Sequence, residues 1–109
     1  MKPVIIYTTT NSKEEAKTLG NHLVKNGLAA CVNIVPKIES IYMWNNELCQ
    51  DSEFLLMIKT DGKLKNEVQD MICKHHSYEV PEVIMVNIEG GSPKYLDWLE
   101  NNLKKSTHV

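Results

Sequence analysis

Arginine is absent from this chain: all 12 basic residues are lysines. Arginine is the usual bidentate reader of phosphate and guanine, so its absence argues against a nucleic-acid partner. The charge balance agrees. Twelve basic against 14 acidic residues leave a net charge of −2, which provides no basic field to draw nucleic acid or an anionic membrane. No apolar run approaches the roughly 18 residues of a membrane helix. Met1-Lys2-Pro3 leads straight into a strand-like segment without an apolar signal core. The three cysteines, Cys31, Cys49 and Cys73, are odd in number and lack zinc-site spacing. Without a secretion signal they are expected to be reduced thiols in the cytosol. The chain also lacks a Walker loop, a Gly-rich dinucleotide fingerprint, HExxH and GxSxG. No nucleophile–base constellation can be placed, so an enzyme is not expected. The expectation is a cytoplasmic, non-enzymatic protein.

What is present suits one core. The 109 residues are 42% hydrophobic, and a single domain over residues 1–109 is the natural prior. Val4-Ile5-Ile6-Tyr7 fits a buried strand closed by Thr8 to Asn11. Ser12 and Glu15 form a capping box for a helix striped by Ala16, Leu19, Leu23 and Val24, which Gly27 ends. Leu28 to Trp44 reads as a long strand, with a bulge, kink or edge expected at Pro36. Asn45-Asn46 is a turn signal. A second long strand runs from about Leu48 to Thr60, and Asp61-Gly62 opens a helix that fades near His75. Pro81 to Ile88 is a fourth strand. Ser92-Pro93 starts a last helix faced by Tyr95, Leu96, Leu99 and Leu103, and the tail from Lys104 to Val109 is expected to fray.

The order β-α-β-β-α-β plus a terminal helix predicts an α+β fold. It matches a ferredoxin-like βαββαβ sandwich with an extended central β-hairpin and an added C-terminal helix. That hairpin outreaches the first and last strands, and an exposed apolar ribbon is marginally stable and prone to aggregate. Pairing with the same hairpin on other copies is the expected remedy, giving a homo-oligomer.

The candidate chemistry is concentrated in Lys74-His75-His76-Ser77-Tyr78-Glu79-Val80-Pro81-Glu82. Imidazoles are common metal ligands, but neighbours at i and i+1 point in different directions. His75 and His76 therefore need a third donor or another subunit to hold one ion. Cys73 shares a helix face with His76, and Glu79 is a further possible assistant. The alternative is that histidines simply complement a helix C-terminus. Cys73 lies where thiolate is disfavoured, which argues against cysteine catalysis. Lys59 ends an apolar strand and could neutralise an anion or pair with Glu79. Tyr78 and Glu79 are held beside an extended Val80 by Pro81. Trp44 and Trp98 read by default as packing residues.

Several segments together resemble the CutA family of divalent-cation tolerance proteins. They are Leu28-Ala29-Ala30-Cys31-Val32-Asn33-Ile34, Ser40-Ile41-Tyr42-Met43-Trp44 and Leu56-Met57-Ile58-Lys59-Thr60. His76-Ser77-Tyr78-Glu79-Val80-Pro81-Glu82 and Tyr95-Leu96-Asp97-Trp98 complete the set. The resemblance implies a single CutA-like domain in a homotrimer whose long hairpins pair around the threefold axis. It implies a role in tolerating copper and other divalent ions. Copper is implied at a cysteine ending the first strand and at a histidine pair. The pair maps onto His75 and His76, while the cysteine position falls on Thr8, a much poorer soft-metal ligand. The fold is also similar to PII signalling proteins, which sense small ligands at subunit clefts. On that alternative Lys59, Tyr78, Glu79 and Trp98 would line the cleft. A scaffold trimer without a small ligand is a further alternative.

Overall fold

The structure is a computed structural model and describes residues 1–105. It contains β1 (Pro3–Thr10), α1 (Lys13–Lys25), β2 (Cys31–Trp44) and β3 (Glu47–Asp61). A 3₁₀ turn (Gly62–Leu64) leads into α2 (Lys65–His75), followed by β4 (Ile84–Asn87) and α3 (Pro93–Asn101). The strands form one sheet in the order β2-β3-β1-β4, and every neighbouring pair is antiparallel. This is the expected ferredoxin-like plan, with α3 as the addition.

Alternation along the strands divides the sheet into two faces. Val4, Ile6, Leu56 and Ile58 point into a core with Ala16, Leu19 and Leu23 of α1 and Val68 and Ile72 of α2. The opposite face presents Ile5, Tyr7 and Met57, with Ile84 and Val86 exposed at the β4 edge. Tyr95 of α3 meets Lys59 on this second face.

The turn chemistry explains the hairpin. Asn45 and Asn46 have φ of 50° and 64°, the left-handed pair of a two-residue hairpin turn. Pro36 offers no N–H for the ladder, and the β2–β3 register breaks between Val35 and Ile38 with Lys37 at φ 56°. Gly27 ends the first helical segment at φ 68°. Beyond Phe54, β3 pairs only with β2, because β1 stops at Thr10. The projecting arm leaves Ile41, Met43 and Leu48 at 63%, 62% and 70% exposure.

Three boundaries differ from the sequence expectation. β1 continues through Thr8, Thr9 and Thr10, because β3 supplies partners as far as Phe54. β4 is only four residues long, since β1 pairs with it over Val4 to Tyr7 alone. Lys104 is pinned rather than frayed: its N–H donates to the Gly27 carbonyl at 2.8 Å and its ammonium pairs with Glu67. The rest of the expected fraying, at residues 106–109, lies outside the described residues.

Candidate functional site

The segment after α2 is bound down by its own polar groups. His76 is fully buried at its side chain. Its Nε2 lies 2.6 Å from the Thr9 carbonyl, and its Nδ1 accepts the Tyr78 N–H at 3.0 Å. A carbonyl only accepts and an amide N–H only donates, so the partners require hydrogen on Nε2 and a lone pair on Nδ1. The Glu15 carboxylate lies 3.9 Å from Nδ1 and accepts from the N–H and hydroxyl of Ser77 at 2.7 and 3.0 Å. The expected capping box is therefore only half formed. Ser12 Oγ accepts from the Glu15 N–H at 3.1 Å, while the Glu15 carboxylate is directed to Ser77.

His75 faces elsewhere. It is exposed at the end of α2, and its ring stacks on His22 of α1 with centroids 5.1 Å apart and planes 10° from parallel. Thr8 is fully buried, and its Oγ1 has no hydrogen-bond partner. A hydroxyl is a hard donor, unsuited to a soft metal. Thr8, His75 and His76 thus do not converge as a copper centre within one chain. Among the described residues, no group of three or more His, Cys, Asp or Glu side chains is gathered as a metal site.

Tyr78 belongs to a second cluster. Its hydroxyl donates to Glu53 Oε2 at 2.5 Å, and Glu53 is only 5% exposed. Burial, then the bond to Glu53, raises the Tyr78 phenol well above the ordinary tyrosine value. Burial, with Glu53 nearby, also raises the Glu82 carboxyl. Tyr42 donates to Asp51, and chiefly for that reason its pKa is pushed up to about 12. Tyr42, Trp44, Glu53, Tyr78 and Glu82 line a groove of about 590 Å³ that runs along the hairpin. Two aromatic hydroxyls and two carboxyls beside apolar walls suit recognition of a polar ligand better than covalent chemistry.

Lys59 and Trp98 lie apart from that groove. Lys59 Nζ is 3.4 Å from the Tyr95 hydroxyl and 5.5 Å from its ring centroid, and Tyr95 packs at 5.5 Å on Trp98. Lys59 therefore meets Tyr95 rather than Glu79, which is exposed. Glu53 and Lys59 are six residue steps apart along β3, roughly 20 Å at the strand rise. Within one chain the four cleft candidates are thus not gathered. Sequence reasoning missed Glu15, His22 and Glu53. Glu15 had an adequate local role as a capping residue, and Glu53 sits unremarked in the polar run Gln50-Asp51-Ser52-Glu53.

A ferredoxin-like sheet with a projecting hairpin, a buried post-helical histidine and a tyrosine–glutamate groove defines a small α+β domain. Comparison with known proteins identifies its kind. Residues 4–102 match the family described as CutA1 divalent ion tolerance protein, and the chain belongs to that family. It is 46% identical over 101 residues to "Protein CutA, chloroplastic" of Arabidopsis thaliana, covering 93% of this chain and 56% of that one. The match to "Divalent-cation tolerance protein CutA" of Thermus thermophilus is 41% over 98 residues, 90% of this chain and 95% of that protein. The chain thus spans little more than half of the plant relative and nearly all of the bacterial one. The crystal structure of CutA1 from Oryza sativa superimposes with a TM-score of 0.95 at 42% identity, covering 97% of both chains. No helix among the described residues is long and apolar enough to cross a membrane.

Proposed function

We propose that this chain acts as one CutA-like domain over residues 1–109, assembles as a homotrimer and binds divalent metal ions in a non-enzymatic tolerance role in the cytoplasm. Copper is the ion of first interest. Family membership supports the tolerance role. The observation that carries metal contact is the exposure of His75, whose ring makes no hydrogen bond to protein among the described residues. His76 joins as a ligand only by surrendering the Tyr78 amide or the Thr9 carbonyl. The exposed apolar hairpin supports the trimer, since strand pairing between copies would cover it. Calorimetric titration of Cu(II) into the wild type, His75→Ala and His76→Ala tests the assignment. Weakened binding in the first variant is expected; unchanged affinity in both rejects it.

A second reading is favoured by the groove along the hairpin. In the trimer it would lie beside a neighbouring subunit, and Tyr78 and Glu79 of one copy would face Lys59 and Trp98 of another around a small metabolite. A ligand that raises the melting temperature without metal, and loses its effect in Tyr78→Phe, supports this sensor role. A scaffold role is left if neither metal nor metabolite binds.

A further inference from the structure

We infer that His22 of α1 and His75 of α2 form a two-imidazole chelate for a divalent transition-metal ion on the outer surface of the helical layer. The inference deepens the metal reading above and rests on it. It differs in its ligands, because it takes one imidazole from each helix instead of two adjacent ones.

The partner follows from the hydrogen bonds. Both nitrogens of His76 are engaged, one with the Thr9 carbonyl and one with the Tyr78 N–H, so His76 has no lone pair to share. His75 instead lies against His22, 5.1 Å between centroids with the planes 10° from parallel. Both residues are exposed, and neither ring hydrogen-bonds to protein among the described residues. Imidazole is the commonest protein ligand for such metals. With metal–nitrogen bonds of about 2.0–2.1 Å, two donors on one ion stand roughly 3–4 Å apart. Exposed side chains reach that spacing by staggered rotamer changes, without moving the helices.

The fold supplies the rest. α1 and α2 pack on one another over the core through Leu19, Leu23, Val68 and Ile72, which fixes the separation of the two histidine backbones. His75 also shares a shallow groove with Asp70 and Met71. Two donors leave positions open for water, which suits exchange at a surface better than permanent storage. Because the ligands come from different helices, bound metal would tie α1 to α2 and raise thermal stability with free metal concentration.

Cu(II) is the probe, titrated into the full chain by calorimetry with paramagnetic resonance of the bound ion. The wild type is expected to bind one ion per chain with two nitrogens in its coordination sphere. His22→Ala and His75→Ala should each weaken binding by roughly tenfold or more, because chelation is lost, and each should abolish the metal-dependent rise in melting temperature. His108→Ala should leave affinity within about twofold, since it removes no donor of the pair. His22→Ala and His75→Ala are at exposed positions, where the fold is little affected. If His75→Ala weakens binding and His22→Ala does not, this inference falls while the metal reading stands. If loss of His108 removes binding, the inference is likewise overturned. If the wild type binds no Cu(II), both fall.

Discussion

Glu15 of α1 holds Ser77, 62 residues further along the chain, through two hydrogen bonds of 2.7 and 3.0 Å to one carboxylate. The contact fastens the segment after α2 to the start of α1. It also places Tyr78 so that its N–H reaches His76. Hydrogen bonds to a charged acceptor contribute about 1.5–3 kcal/mol. Glu15→Ala should lower stability by about 2 kcal/mol, and Glu15→Gln by less, because the amide oxygen keeps one acceptor. Denaturant titration measures the difference. Hydrogen exchange should show the loss of protection centred on residues 76–78.

Tyr78→Phe removes the only donor to the Glu53 carboxylate among the described residues. Glu53 is 5% exposed, so water does not readily replace the phenol. The expected cost is about 1–3 kcal/mol. Adding Glu53→Leu to Tyr78→Phe should recover part of it, since an apolar pair leaves no buried acceptor unsatisfied. A double-mutant cycle in denaturant decides the point.

Tyr42 and Tyr78 should keep their protons to unusually high pH. Tyr42 is pushed up to about 12 by its bond to Asp51, and Tyr78 is raised by burial and Glu53. A phenol whose folded pKa is raised keeps its proton longer in the folded state. Its stabilising effect is therefore fully present below the ordinary tyrosine value of about 10 and is lost as pH rises through the folded value. For Tyr42 the window runs from 10.0 to about 12. Tyrosinate absorbance should show a late-ionising component from Tyr42 and Tyr78. Tyr42→Phe should remove one late step.

Much of the fold is legible in the sequence because it is written in local chemistry. Asn45-Asn46 demanded positive φ, Pro36 broke the ladder, and Gly27 took the left-handed end. Strand length was less legible because it depends on a distant partner. Thr8 to Thr10 read as a strand's end, yet they pair with Leu56 to Phe54. The site was legible only in part, since its contacts join residues far apart in the chain. Nothing near Ser77 announces Glu15, and nothing near His75 announces His22. Adjacency of His75 and His76 correctly suggested divergent side chains, but hydrogen bonding determined which of the two was engaged.

The proposed trimer, and the metabolite reading with it, rests on one claim, that three copies pair through their hairpins. The Ile41, Met43 and Leu48 side chains on that arm are exposed in the single chain, and the metabolite reading needs residues from two subunits. Light scattering coupled to gel filtration at micromolar protein measures the mass directly. The account predicts three times the 12.4 kDa chain mass, falling to a smaller species in the double variant Met43→Lys/Leu48→Lys. A well-folded wild-type monomer of 12.4 kDa would contradict it.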